Sequence, residues 1–106
     1  MQTLDQRLAN LDTANRVRMV RASLKRNVAG MTRPSALEFV AEIIEENPEE
    51  LRTMPVADLL GAIPKVGRGK AARLMRESGI PYHARVGQLT VRQRQNLARK
   101  LGVGWV

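Results

Sequence analysis

Two helical stripes meet at Ile63-Pro64-Lys65-Val66-Gly67-Arg68-Gly69-Lys70-Ala71, and this corner constrains the fold more than any other stretch of the chain. Before it, Val56, Leu59, Leu60 and Ile63 recur at i, i+3, i+4 and i+7, the spacing of one buried helical face. After it, Ala71, Leu74 and Met75 form an inward stripe, with Lys70, Arg73 and Arg76 outward. Pro64 has no N–H and its ring clashes with a preceding helical turn, so it stops the incoming helix. Gly67 then either takes a positive φ or permits a close backbone approach.

The corner also has the pattern of a helix–hairpin–helix phosphate clamp. The N–H groups of Gly67, Arg68 and Gly69 fall at the start of the second helix, where they lack helical partners and sit at the positive end of its dipole. A nucleic-acid phosphate fits such a place, and Lys70 adds a full positive charge. A site of this kind grips backbone and reads no bases. The plain alternative is a corner used only for packing, because Pro and Gly punctuate loops of every kind. Lys65, Arg68 and Lys70 weigh against that alternative, since packing alone does not need these cations.

The distribution of charge agrees. The chain carries a formal +8, yet residues 1–30 hold six basic and two acidic side chains, 31–63 hold two and seven, and 64–106 hold ten and one. Positive charge gathers around the corner, which points to an extended polyanion as partner. An anionic membrane fits less well, because the basic segments lack an apolar face rich in Trp or Phe. Aromatic residues are only 3%, so the core must be aliphatic and single-strand binding by base stacking is disfavoured. Cysteine is absent, no apolar run approaches a bilayer span and no signal-peptide core is present, so a cytoplasmic protein is expected.

Helical periodicity runs throughout, without period-two alternation long enough for a strand. Thr3-Leu4-Asp5-Gln6 has the form of a capping box, with Leu4, Leu8 and Leu11 on one face. The phase changes near Asp12-Thr13, where Val17, Val20, Leu24 and Val28 make a stripe and Arg18, Arg21 and Lys25 a second beside it. A helix over about 4–28 is expected, bent or restarted near Asp12. The basic stripe is either a solvated face or a track along phosphates. Ser35-Ala36-Leu37-Glu38 reads as a second capping box behind Pro34, opening a helix that buries Leu37, Val40, Ala41 and Ile44 and ends at Asn47-Pro48. Its Glu38, Glu42, Glu45 and Glu46 form a solvated face with no His or Asp at metal-ligand spacing, and this face should lie away from phosphate.

Pro55 begins the helix that enters the corner, and the helix leaving it runs to about Ser78, with Gly79 a left-handed C-cap. Tyr82 to Leu89 is a loop holding Arg85 and Gly87. Thr90-Val91-Arg92-Gln93 caps a last helix that buries Leu97, Ala98 and Leu101 and stops at Gly102. Trp105 in the tail 103–106 either covers a core edge or is free. The fold class is therefore all-α, a small helical bundle: an N-terminal basic arm over 1–30, a DNA-binding domain over 31–102, and a short tail. His83, the sole histidine, has no partner for catalysis or metal binding, and neither a catalytic residue, a cofactor nor a metal is expected.

The segment from Met54 to Ala71 closely resembles the core of the actinobacterial integration host factor family. Arg21-Ala22-Ser23-Leu24-Lys25, Arg92-Gln93-Arg94 and Lys100-Leu101-Gly102 resemble family segments in the same order, so the similarity covers about residues 14–102. The resemblance implies a helix-two-turns-helix domain with a long N-terminal helix. It implies a nucleoid-associated protein that binds duplex DNA with little sequence preference, bends or compacts it, and assists phage integrases in site-specific recombination. By position, Lys65, Gly67, Arg68, Gly69 and Lys70, with Val66 between them, fall in the phosphate-binding turn and helix start. Arg85 falls in a loop where the family has several arginines followed by Gly-Leu-Gly. This chain has His83-Ala84-Arg85-Val86-Gly87-Gln88-Leu89 there, a departure that bears on any contact made by that loop. The unfamiliar ends fit a divergent, phage-encoded member.

The DNA-contacting set expected from the whole sequence is thus Lys65, Val66, Gly67, Arg68, Gly69, Lys70, Arg73, Arg85 and Arg92, with Arg18, Arg21 and Lys25 on the arm. The protein is expected to be a monomer in solution, away from membranes. The competing readings are an RNA-binding protein of ribosomal S13-like type, which usually carries a basic tail this chain lacks, and a nuclease or glycosylase, for which no nucleophile–base pair is found.

Overall fold

Helix ends in this chain are set by a few local devices. The computed structural model describes residues 4–104, with side chains from residue 14 onward. It places α1 at Leu4–Ala29, α2 at Arg33–Glu46, α3 at Val56–Gly61, α4 at Arg68–Glu77 and α5 at Val91–Gly102. Single 3-10 turns at Glu49–Leu51 and Val86–Gln88 complete the regular structure, and the described residues contain no strand, only an isolated bridge between Pro55 and Arg85.

Thr90 caps α5 as its sequence predicts: its hydroxyl accepts from Gln93 N–H at 3.1 Å, and Gln93 Oε1 accepts from Thr90 N–H at 2.9 Å. Gln93 Nε2 also donates to the Gly79 carbonyl at 2.8 Å, tying the start of α5 to the end of α4. Gly79 sits at φ +72°, where Gly79 N–H reaches Arg76 O at 3.1 Å and Ile80 N–H reaches Met75 O at 2.8 Å. That pair of bonds is the Schellman closure of a helix. Asn47 ends α2 in the left-handed region at φ 50°, its N–H bonded to Ile43 O.

The start of α2 differs from the expected box at Ser35. Thr32 is the cap, its hydroxyl accepting from Ser35 N–H at 3.4 Å, and Pro34 lies inside the first turn. Proline is suited to that turn, whose N–H groups have no helical acceptor. The expected capping box at Thr3 lies outside the described residues, as do Trp105 and the side chains of Leu4, Leu8 and Leu11. α1 runs unbroken through Asp12, so no restart occurs there.

The core is aliphatic. α2 and α5 form the main packed pair, α3 leans on α4, and Leu24 and Val28 near the end of α1 close the side. Val28, Val40, Ile44, Leu59, Leu60, Met75 and Leu97 have no solvent exposure. Phe39 packs against this cluster from a half-buried position. The rest of the α1 stripe is not buried to match: Val17 is half-buried, Val20 is 36% exposed and Met19 70%. A 26-residue helix spans about 39 Å, most of the 48 Å long dimension, so the first turns of α1 extend past the bundle.

The loop after α4 is held by backbone. Val56 N–H bonds to Ala84 O, Val86 N–H to Met54 O and Gly87 N–H to Arg52 O, at 3.0, 2.9 and 2.8 Å. Gly87 is needed for this approach, because a Cβ there would stand 2.8 Å from Arg52 Cβ and 3.0 Å from its carbonyl oxygen. Gly87→Ala should therefore destabilise the fold by about 2 kcal/mol, the cost of overpacking a closed contact. A urea midpoint unchanged from wild type would show that the contact yields freely.

Candidate nucleic-acid interface

The corner between α3 and α4 is fixed by its own carbonyls and by two buried side chains. Ala62 N–H bonds to Leu59 O, Ile63 N–H to Leu60 O and Val66 N–H to Ile63 O, at 3.3, 3.2 and 3.0 Å. Ile63 and Val66 point into the core and anchor the turn. α3 ends at Gly61, three residues ahead of Pro64, so the proline follows the helix end and rigidifies the exit.

The left-handed residue of the turn is Lys65, at φ +66°, and not Gly67. Gly67 is extended, at φ −83° and ψ −179°, and acts as the N-cap of α4. The close-approach reading of Gly67 remains: no atom lies within 4 Å of a Cβ built there or on Gly69, so the space outside both glycines is open. The first helical bond of α4 runs from Ala71 N–H to Gly67 O at 2.9 Å. The amides of Arg68, Gly69 and Lys70 precede it, and a glycine cap has no side chain to accept from them. These amides face outward at the positive end of the helix, with Lys65, Arg68 and Lys70 exposed around them. An oxyanion placed there would meet several N–H donors and three mobile cations at once.

Lys65 in a left-handed backbone costs about 1 kcal/mol relative to glycine. A cation is thereby held at the tip of the turn, where a strain-free glycine would carry none.

A groove runs from this corner to the end of α1, lined by Lys25, Ala29, Ala57, Asp58, Gly61, Ala62, Val66, Gly67 and Arg68. It brings the arm residue Lys25 to the clamp, which sequence spacing alone does not reveal. Lys25 Nζ lies 3.8 Å from Asp58 Oδ2 on α3. Arg21 and Arg18 follow on the same face of α1, one and two turns back, Arg18 exposed and Arg21 half-buried. Arg73, one turn into α4, pairs with Glu77 at 3.4 Å.

Three of the expected contacts have other duties or positions. Val66 is buried and its amide is already used in the turn, so it shapes the clamp and offers nothing to a ligand. Arg85 lies at the opposite end of α3, where its guanidinium donates to Thr53 O at 2.5 Å and its N–H to Gln88 Oε1 at 2.9 Å. Arg92 lies beyond the far end of α4, about 15 Å along that helix from the clamp. The expected set thus divides into a clamp group, Lys25, Lys65, Gly67, Arg68, Gly69 and Lys70, with Val66 buried beneath it; Arg18 and Arg21 further back along α1 and Arg73 along α4; and two residues away from the clamp, Arg85 and Arg92.

The signature of the S13-like H2TH domain matches residues 32–101, the whole span from the cap of α2 to the last turn of α5. The chain is also 37% identical over 102 residues to Integration host factor of Mycobacterium tuberculosis, covering 94% of this chain and 92% of that protein. The chain belongs to the S13-like H2TH family of integration host factors. A second relative, Integration host factor of Mycolicibacterium smegmatis, is 39% identical over 99 residues, covering 92% and 90% of the two chains. No solved structure matches. Within this H2TH family member, the matched span holds the clamp while α1 lies before it, so Lys25 joins the site from outside the domain signature. Among the described residues no group of His, Cys, Asp and Glu could hold a metal ion, and no helix is long and apolar enough to cross a membrane.

Proposed function

We propose that this integration host factor relative is a non-enzymatic protein that binds duplex DNA by its phosphates, with little sequence preference, and bends or compacts it. The observation carrying this reading is the uncapped start of α4, where outward amides and exposed Lys65, Arg68 and Lys70 converge beside open glycine surface. The named relatives are integration host factors, which makes an architectural role in site-specific recombination, including assistance to a phage integrase, the natural setting. The arm over 1–30 and the domain over 31–102 act together in this reading, since Lys25 of the arm lines the clamp groove. The protein works as a monomer on the bacterial chromosome or at a recombination site. Arg85 and Arg92 offer further cations away from the clamp, and a duplex that reached them while held at the clamp would have to bend.

The test is a titration of two unrelated duplexes across salt. Affinities should agree within a few-fold and fall steeply, by about 0.9 log units per log unit of salt for each phosphate neutralised. Energy transfer between dyes at the duplex ends should rise on binding. A strong preference for one sequence, or for structured RNA over duplex DNA, would turn the reading toward base recognition or toward a ribosomal-type role.

A further inference from the structure

The groove that brings Lys25 to the clamp also contains a carboxylate, and a phosphate-binding groove has no evident use for one. Asp58 is half exposed, lines the groove with Gly67 and Arg68, and faces Lys25 at 3.8 Å. Both partners are about 50% exposed, so the pair contributes little to folding. Its position matters more than its strength. In the free protein Asp58 occupies the cation that the arm contributes to the clamp, and its own charge opposes an incoming phosphate.

We infer that Asp58 is an affinity-limiting residue: it acts as an internal stand-in for a phosphate, holds Lys25 in the free protein, and keeps DNA binding weaker than the basic groove would otherwise allow. The inference rests on the clamp reading above and adds to it a residue that restrains binding. An architectural protein has to leave DNA as well as grip it, and a weak, exposed ion pair is readily exchanged for a phosphate and readily re-formed. The acidic side chain also marks the boundary between arm and domain, because Lys25 belongs to α1 and Asp58 to α3. Removing the carboxylate would free the arm cation for DNA.

The experiment compares full-length wild type, Asp58→Asn, Asp58→Glu, Lys25→Ala and the double variant Lys25→Ala/Asp58→Asn on one short duplex at several salt concentrations. Asp58→Asn should bind roughly three- to tenfold more tightly at low salt, with a log–log salt slope steeper by up to about one. Asp58→Glu should behave as wild type, since it keeps the charge within reach of Lys25. In the Lys25→Ala background, Asp58→Asn should lose most of its effect. Equal or weaker binding by Asp58→Asn, with unchanged thermal stability, overturns the inference; so does an undiminished gain without Lys25. Failure of the parent reading appears elsewhere, as a Lys70→Ala variant binding as well as wild type, whereas this inference fails on the ratio of Asp58→Asn to wild type.

Discussion

Arg94→Met should lower the stability of the folded chain by about 3 kcal/mol, although Arg94 belongs to no ligand site. The reason begins at the end of α2. The carbonyl of Ile44 would normally accept from the amide four residues on, but that residue is Pro48, which has no N–H. Arg94 Nη1, from α5, fills the vacancy at 2.6 Å. Its Nη2 donates to Val86 O at 2.9 Å and Leu89 O at 3.4 Å, so one guanidinium joins α2, α5 and the loop between α4 and α5. Burial lowers the Arg94 pKa, and the positive charge of Arg52 adds to the effect; arginine nonetheless stays protonated at any ordinary pH. The charge also complements the negative end of α2, whose last turn has no basic residue of its own.

Methionine keeps much of the side-chain length but removes the donor to the Ile44 and Leu89 carbonyls and leaves Val86 O only its 3.5 Å bond from Leu89 N–H, so that one to a few kcal/mol for the carbonyls left dry gives the loss of about 3 kcal/mol. For a domain of this size the melting temperature should fall by roughly 15 °C. Arg94→Lys should recover only part of the loss, because a single ammonium cannot span the three acceptors. Thermal melts of the three proteins check this. A shift of two or three degrees for methionine would mean that water satisfies the carbonyls as well as the guanidinium does.

Replacing Lys65, Arg68 and Lys70 together with glutamine should weaken duplex binding by about a hundredfold at 0.1 M salt, while the fold stays intact. Each lysine or arginine that neutralises a phosphate contributes about 0.9 to the log–log salt slope, so the slope should fall by about 2.7. All three side chains are exposed and make no described hydrogen bond or ion pair, so stability should hardly change. The loss should be the same on unrelated sequences, because these side chains address phosphates and not bases. Lys65→Gly separates the two properties of the turn. It removes left-handed strain, raising stability by about 1 kcal/mol, while it lowers the salt slope by about one. A binding protein made more stable and less able to bind by one substitution would identify Lys65 as retained for its charge. If the triple variant bound as wild type does, the DNA would have to dock on another face.

Much of the helical layout is readable because its signals are local. Thr90 and Gln93 are three residues apart, Gly79 closes α4 by its own φ, and Asn47-Pro48 ends α2 within one turn. The clamp is readable for the same reason, as a short run of glycines and cations at a helix start. Where two local patterns competed, the sequence was ambiguous: Thr32 and Ser35 both stand three residues before a possible partner, and Pro34 suits either the first turn after Thr32 or the residue just ahead of Ser35. The left-handed Lys65 was hidden because glycine is the ordinary choice for positive φ, and Gly67 two residues away offered itself. The role of Arg94 was hidden by distance, since Ile44 is 50 residues from it in sequence. So was the joining of Lys25 to the clamp, which depends on how α1 packs and not on its own pattern. The even spacing of Val17, Val20, Leu24 and Val28 suggested a longer buried stripe than the packing provides, because periodicity shows which face is apolar and not how far its partner extends.

Phosphate held by the main-chain amides at the start of α4 would be visible in their resonances. In a titration of the nitrogen-15-labelled protein with a short duplex, the largest shifts should fall on Arg68, Gly69 and Lys70, with Gly67 and Lys25 close behind, and they should diminish together as salt is raised. Shifts confined to the far edge around Arg85 and Arg92, with residues 67–70 unmoved at saturating DNA, would contradict the account.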